Sequence, residues 1–281
     1  VNNFLILPII SVLNTKYNLS NQEAWWILEH VCKKTKSQML SDSLYKLSQQ
    51  EIKLLHQCLH ELTIEYKPLA YIIGQVPFYE LTLKVAPPIL IPRPETEELV
   101  THVISELKNY SVQKILDIGT GTGCIGISLA HAFSKSTIMM TDISQQAIAL
   151  AQENSIKNRC SNVEFILSDV YKNLENKKFD SIISNPPYID PELSETLAPQ
   201  VKNWEDAHAL YAQENGLAII KNILQNAHKH LTKRNDLPFR IALEVDHTQP
   251  EIICKLALEY GFEKAWWKKD IFGNPRFIFC L

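Results

Sequence analysis

Lys114-Ile115-Leu116-Asp117-Ile118-Gly119-Thr120-Gly121-Thr122-Gly123 is the stretch whose reading decides the fold. Lys114 to Asp117 reads as a short buried strand, followed by a glycine-rich turn and an apolar helical pattern from Ile125 to Phe133. Strand, glycine turn and helix in that order form the nucleotide-binding arrangement of a doubly wound sheet, because glycines let the backbone approach a ligand closely. The spacing is G-x-G-x-G rather than the dinucleotide G-x-G-x-x-G, and Asp117 stands just before it. A second strand pattern, Thr137 to Met140, ends at Asp142. That position lies about 20 residues beyond the turn, where a carboxylate can accept both hydroxyls of a ribose. The plain alternative for Asp142 is a cap on the following helix.

Outward from this stretch, strand and helix patterns alternate. Strands are expected near 114–118, 137–142, 163–167, 179–184, 240–246, 262–268 and 275–281, with helices near 124–133, 144–158, 215–231 and 249–260. Such alternation predicts an α/β fold, a mainly parallel, doubly wound sheet with helices on both faces. Residues 1–75 read instead as a small helical domain. Ser20-Asn21-Gln22-Glu23 and Ser48-Gln49-Gln50-Glu51 are capping-box patterns, each followed by apolar residues at helical spacing. Residues 76–92, with β-formers and the Pro87-Pro88 pair, read as a hairpin linker, and 93–281 as the larger domain. Pro94 suits the first turn of a helix over 95–107. Asp190 to His208 is a polar excursion long enough to cover a substrate.

The other telling segment is Asn185-Pro186-Pro187-Tyr188, at the end of the strand pattern Phe179 to Ser184. Two prolines stiffen the turn and carry no N–H, so the loop presents acceptors: the Asn185 side-chain oxygen and the Pro186 carbonyl. Two acceptors around one planar NH₂ can aim its nitrogen at an electrophile, and the Tyr188 ring can pack against the planar group.

Composition excludes several classes. The chain has 281 residues, with 46% hydrophobic and 21% charged residues, ordinary for a globular protein. A net charge of −3 argues against a protein that lives on nucleic-acid phosphates. The six cysteines are scattered without a C-x-x-C pair, as expected of reduced thiols in a cytoplasmic protein. The apolar run Phe4 to Leu13 is short, interrupted by Pro8 and without a basic lead-in; it reads as a core-facing helix or an extended arm rather than a signal or membrane segment.

Taken together, Asp117 to Gly123, Asn185 to Tyr188, Ile91-Pro92-Arg93-Pro94-Glu95-Thr96-Glu97 and Pro68-Leu69-Ala70-Tyr71-Ile72-Ile73-Gly74 resemble the release factor glutamine N5-methyltransferases, a family of the class I S-adenosylmethionine-dependent methyltransferases, over nearly the whole chain. Asn-Pro-Pro-Tyr alone is shared with DNA adenine and RNA guanine methyltransferases; the Pro-Arg-Pro-Glu-Thr-Glu segment narrows the choice. The resemblance implies a seven-stranded sheet with its last strand antiparallel. It implies S-adenosyl-L-methionine as cofactor, held by Gly119, Thr120, Gly121, Thr122, Gly123, Asp142 and Asn185, with Asp169 and Val170 flanking the adenine. It implies Asn185, Pro186 and Tyr188 as the catalytic group, and Asn185, Pro186, Pro187, Tyr188 and Arg93 as the substrate grip. The implied substrate is the glutamine of the Gly-Gly-Gln loop of peptide chain release factors, whose body would meet the N-terminal helices. Family behaviour implies a monomer; the net charge and the chain's patterning lead us to expect no stable nucleic acid or membrane partner.

Alternatives stay open at this point. One is the same reaction on a ribosomal-protein glutamine; another is methylation of a nucleobase amine in DNA or RNA; a third is a non-catalytic subunit that keeps the fold. No general base is assigned, and Glu97 and Glu244 are the first places to look for one. Arg93 fits a purely structural ion pair as well as a substrate contact. His56 and His60 have metal-compatible helical spacing but no third ligand, which favours solvent-facing side chains and no metal. Cys124 reads as a packing residue. Relatives carry Leu-Glu-x-Gly-x-x-Gln where this chain has Leu243 to Gln249 with Asp246, so a positive φ is expected at Asp246. They carry an aromatic residue at the place of Val170, and a Pro-Gly-Gly-type turn where Lys233 to Pro238 reads as a longer, mobile loop.

Overall fold

The computed structural model describes residues 6–42 and 45–281. Contacts divide it into two units. One comprises the described residues up to Gln75 together with Ala198–Trp204; the other comprises Val76–Leu197 and Glu205–Leu281.

The first unit is helical. Helices α1 (Ile6–Tyr17), α2 (Asn21–Cys32), α3 (Lys36–Ser41), α4 (Gln49–Thr63) and α5 (Leu69–Ile73) follow one another. Both expected capping boxes are formed, at Ser20/Glu23 and Ser48/Glu51, and a third stands at Thr35/Gln38. Each cap satisfies N–H groups that the first helical turn leaves unpaired, worth about 1 kcal/mol. Of the apolar N-terminal run, Ile6 onward is helix and buries Ile6, Ile9, Ile10 and Leu13; Phe4 and Leu5 lie outside the described residues. These side chains meet Trp25, Leu28, Leu55 and Leu59 in one core. Trp25 is therefore a packing residue.

A hairpin follows, β1 (Gln75–Phe78) and β2 (Leu81–Lys84), which lies in the second unit from Val76 onward; its Leu81 and Leu83 are buried and alternate with exposed Thr82 and Lys84. Helix α6 (Pro94–Leu107) has Pro94 in its first turn, and Glu95 and Glu97 there favour the helix dipole. Then come β3 (Lys114–Ile118), α7 (Cys124–Ala132), β4 (Thr137–Asp142), α8 (Gln145–Lys157), β5 (Val163–Leu167), β6 (Ser181–Ser184), α9 (Pro199–Lys202), α10 (Ala207–Leu210), α11 (Ala218–Asn226), β7 (Ile241–Glu244), α12 (Pro250–Glu259), β8 (Ala265–Lys269) and β9 (Pro275–Cys280). α9 belongs to the first unit.

Seven strands form one sheet in the order β5-β4-β3-β6-β7-β9-β8, and only β9 runs antiparallel to its neighbours. Side chains alternate between two cores, as the strand period demands. Ile115, Ile138, Met140, Ile183 and Phe279 pack under α6 and α7, while Leu116, Met139, Ile182, Leu243 and Ile278 pack against residues of α11 and α12. Chain order reverses between β3 and β6, so the carboxyl ends of those strands open a crevice at the topological switch point.

Several expectations need correction. The helix expected from 215 begins only at Ala218, because Glu214, Asn215 and Gly216 all have positive φ. The strand expected from 179 begins at Ser181, since Phe179 makes only an isolated bridge to Leu231 and the Asp180 carboxylate accepts from Gln113 N and Thr232 Oγ1. The excursion over 190–208 is built of short helices, including a 3₁₀ turn at Pro191–Thr196. Asp246 is absent from the left-handed backbone region; its Oδ1 instead accepts from Thr248 N and Oγ1 at 2.9 and 2.6 Å, making an Asx turn into α12. The loop over 233–238 is tied down by Arg234, which donates to Asp236 and to the Ser111 carbonyl.

Candidate active site

The glycine turn after β3 is held by its own neighbours. Gly119 N and Thr120 N donate to the Thr141 carbonyl at 2.8 and 2.9 Å, and Gly121 N donates to Asp142 Oδ2 at 2.9 Å. Gly123 caps α7 with φ +85°, and a Cβ there would meet Ile127 at 2.8 Å and Ala151 at 3.2 Å, so the turn needs glycine both for its backbone and for its space. Asp117 lies fully buried beneath the turn. Its Oδ2 accepts from Thr120 Oγ1 at 2.6 Å and Gly126 N at 3.0 Å, while Oδ1 has no hydrogen-bond partner among the described residues. Burial pushes the Asp117 carboxyl up to about 7 against those two hydrogen bonds, with the Asp142 charge adding to the rise.

Asp142 closes β4. It does not cap α8; Ser144 does, by accepting from Ala147 N. Asp142 Oδ1 accepts from Ser144 N at 2.9 Å, so each of its oxygens takes one backbone N–H and keeps a lone pair for a further donor. Burial raises its carboxyl above the usual range.

A cleft of 330 Å³ runs between this turn and the end of β6. Gly119, Thr120, Gly121, Thr122, Asp142, Asp169 and Val170 line it on one side, and Arg93, Thr96, Asn185, Pro186 and Pro187 on the other. Gly123 and Tyr188 are not in the lining. Val170 is buried with φ +49°, a conformation costly for a β-branched residue, and its carbonyl accepts from Ser168 Oγ at 3.0 Å. Cys124 is buried, which pushes its thiol up to about 12 and makes it a packing group.

Asn185 stands one residue past β6, whose Ser184 Oγ donates to the Ile118 carbonyl at 2.7 Å and ties the two strand ends together. Its Nδ2 donates to Thr96 Oγ1 at 3.1 Å, and Thr96 Oγ1 donates to Glu244 Oε2 at 2.7 Å. The Tyr188 hydroxyl reaches Glu244 Oε1 at 3.3 Å. Glu244 is 1% exposed, and burial pushes its carboxyl up to about 7 against hydrogen bonds from Thr96 and Tyr188. Both its oxygens are engaged by protein donors. Arg93 is paired with Glu205, whose side chain is buried and whose Oε1 accepts from Ile91 N at 3.4 Å.

Sequence reading missed Thr96 and Glu205 as parts of this arrangement. Thr96 had a signal: it heads the buried stripe Thr96, Leu99, Val100, Val103, Leu107, where an apolar residue is expected. Glu244, named from the sequence as a place to look for a base, is a charge within a strand that is otherwise wholly buried.

Residues 96–239 match the methyltransferase small domain family, and residues 10–74 match the PrmC N-terminal domain. The release factor glutamine methyltransferase of Thermodesulfovibrio yellowstonii is 35% identical over 272 residues, 96% of this chain and 95% of that protein. That of Lactococcus lactis subsp. lactis is 41% identical over 234 residues, covering 83% and 84%. Among solved structures, a ribosomal protein L11 methylase from Lactobacillus delbrueckii subsp. bulgaricus superposes with a TM-score of 0.52 at 18% identity, over 71% of this chain and 84% of its own; that likeness shows the methyltransferase fold.

Proposed function

The chain belongs to the release factor glutamine methyltransferase family, and from that premise we propose that it transfers a methyl group from S-adenosyl-L-methionine to the side-chain amide nitrogen (N5) of the glutamine in the Gly-Gly-Gln loop of peptide chain release factors. The observation that carries this reading is the shared cleft: the glycine turn with Asp142 and the rigid Asn185-Pro186-Pro187 acceptor loop line the same 330 Å³ space at the switch point.

The residues present fit the cofactor. Its ribose diol would meet the spare lone pairs of Asp142, its adenine the Asp169–Val170 backbone, and its charged amino-acid end the glycine turn, beneath which Asp117 keeps an unpartnered acceptor oxygen. When bound, it supplies an electrophilic methyl on a sulfonium sulfur. The protein's part is position and electrostatics. Asn185 Oδ1 and the Pro186 carbonyl accept the two N–H groups of the substrate amide and favour the positive charge that builds on its nitrogen during attack. The amide proton becomes acidic as the new N–C bond forms, so it passes to water without a strong base. Glu244 is buried behind Thr96 and does not line the cleft, so it is not placed to act as one.

Arg93, fixed by Glu205, shapes the wall of the cleft at which the Gly-Gly-Gln loop enters. The helical unit, matching the PrmC N-terminal domain, is the surface we assign to the body of the release factor. We infer that it works as a monomer in the cytoplasm. No helix among the described residues is long and apolar enough to cross a membrane.

Labelled S-adenosylmethionine offered with purified release factor, and separately with duplex DNA and ribosomal RNA, tests the assignment. Label on the Gly-Gly-Gln glutamine, located by mass spectrometry, is the expected result. Label on nucleic acid alone would overturn the substrate.

A further inference from the structure

The hydrogen-bond chain from Asn185 through Thr96 to Glu244 has a direction. An ionised carboxylate can only accept, so the single Thr96 hydroxyl proton goes to Glu244 Oε2 at 2.7 Å. Thr96 Oγ1 is then left with lone pairs and accepts from Asn185 Nδ2 at 3.1 Å. With its NH₂ end engaged in this way, Asn185 offers its oxygen to the cleft. A carboxamide turned over by 180° would present NH₂ to the NH₂ of the substrate, donor against donor.

We propose that Thr96 and Glu244 are positioning residues that hold the Asn185 amide in the one orientation able to accept the substrate amide, so that the polarity of the active site is set from behind it. The proposal rests on the methyl-transfer reading above and adds two residues to it. Two features of the fold support it. Thr96 is 2% exposed at the head of an aliphatic stripe on α6, where valine would fill the same space; what threonine adds is the hydroxyl. Glu244 is a buried carboxylate at the end of β7, a costly group to bury, and its donors are Thr96 from α6 and the Tyr188 hydroxyl from the loop after β6.

The arrangement also predicts how the site responds to pH. The groups facing Glu244 are Thr96 and Glu95 of α6, Tyr188 of the loop after β6 and Arg276 of β9. Once protonated, Glu244 can itself donate to Thr96. Thr96 is then released to donate to Asn185, and the amide loses its fixed sense. Because burial raises the Glu244 carboxyl to about 7, turnover should rise with pH through that region as the carboxylate forms.

The test uses the full chain with release factor and labelled S-adenosylmethionine, comparing Thr96→Ser, Thr96→Val, Glu244→Gln and the Val/Gln double variant. Thr96→Val should lower kcat roughly ten- to hundredfold with cofactor affinity kept, and Thr96→Ser should stay within about threefold of the parent. Glu244→Gln, which can offer Oε1 to Thr96 and Nε2 to Tyr188, should keep partial activity but lose the rise near neutral pH. The double variant should be no slower than Thr96→Val, since both changes cut one chain. A Thr96→Val enzyme at the parental rate, a Glu244→Gln enzyme with the rise intact, or additive losses would each overturn the proposal.

A second readout needs no turnover. The side-chain NH₂ resonances of Asn185, assigned by their loss in Asn185→Asp, should titrate with Glu244 in the parent and not in Thr96→Val. If they titrate while no release factor glutamine is methylated, the substrate reading fails and the positioning role stands. If methylation is robust and the resonances ignore both Thr96 and pH, the positioning role fails alone.

Discussion

Gln249 donates from Nε2 to the Tyr188 carbonyl at 3.0 Å and to the Asn215 carbonyl at 3.2 Å, while its Oε1 accepts from Asp246 N at 3.1 Å. One side-chain amide thus ties the end of the acceptor loop to the turn before α11 and to the turn after β7. Gly216 completes the joint: its φ is +81°, and a Cβ there would lie 2.0 Å from the Tyr188 carbonyl oxygen.

Cutting this tie should loosen the acceptor loop. Gln249→Ala leaves three backbone groups short of a partner and should cost about 2 kcal/mol in chemical denaturation, together with a fall in kcat. Gln249→Glu should be worse than alanine, because it sets a carboxylate against two carbonyl oxygens. A glutamate variant as stable as the parent would show that the two carbonyls find other donors.

The two walls of the cleft should separate in kinetics. Asn185→Ala should reduce kcat by about 10²–10³-fold while calorimetry finds S-adenosylmethionine affinity nearly unchanged. Asp142→Ala should weaken that affinity by roughly ten- to hundredfold, the loss expected for charged hydrogen bonds. Unchanged turnover in the first variant would refute the acceptor role, and unchanged affinity in the second would refute the ribose role.

Arg93 and Glu205 pair where the Glu205 side chain is only 1% exposed. Burial raises the Glu205 carboxyl, and the Arg93 charge pulls it back down. Arg93→Ala leaves that carboxylate uncompensated and should cost about 3–5 kcal/mol by denaturant titration. The double replacement of Arg93 and Glu205 by methionine should recover much of the loss. If the single and double variants are equally unstable, the ion pair is not what holds this wall.

Asp117 and Glu244 together predict a stability profile. Burial holds both at about 7, above the range they have in an unfolded chain, so the native state binds protons more tightly. Their contribution is therefore full below about pH 4 and is lost as pH rises from there through about 7, on the order of 3–4 kcal/mol for each group. Tm should fall between about pH 4 and about pH 7, and Glu244→Gln should flatten part of the slope. A slope untouched by that change would place the titration elsewhere.

Much of this was legible beforehand because it depends on near neighbours in the chain. Apolar period marked β3, β4, β5 and β9, and capping boxes marked α2 and α4. The misses are places where local preference yields to a distant contact. The start of α11 is pushed to Ala218 by three residues with positive φ around a joint made with Tyr188 and Gln249. Asp246 turned out to close an Asx turn rather than to stand in for glycine.

The sequence by itself determined the doubly wound fold, the family and the two loops that face each other across the cleft, because periodicity, glycine and proline act within a few residues of themselves. Only the tertiary structure decided which way Asn185 is held and by what. Thr96 lies 89 residues from Asn185 and 148 from Glu244, and Arg93 lies 112 from Glu205. Hydrogen bonds across such separations form only after the sheet has brought the carboxyl ends of its strands together, and no local pattern in the chain encodes their partners.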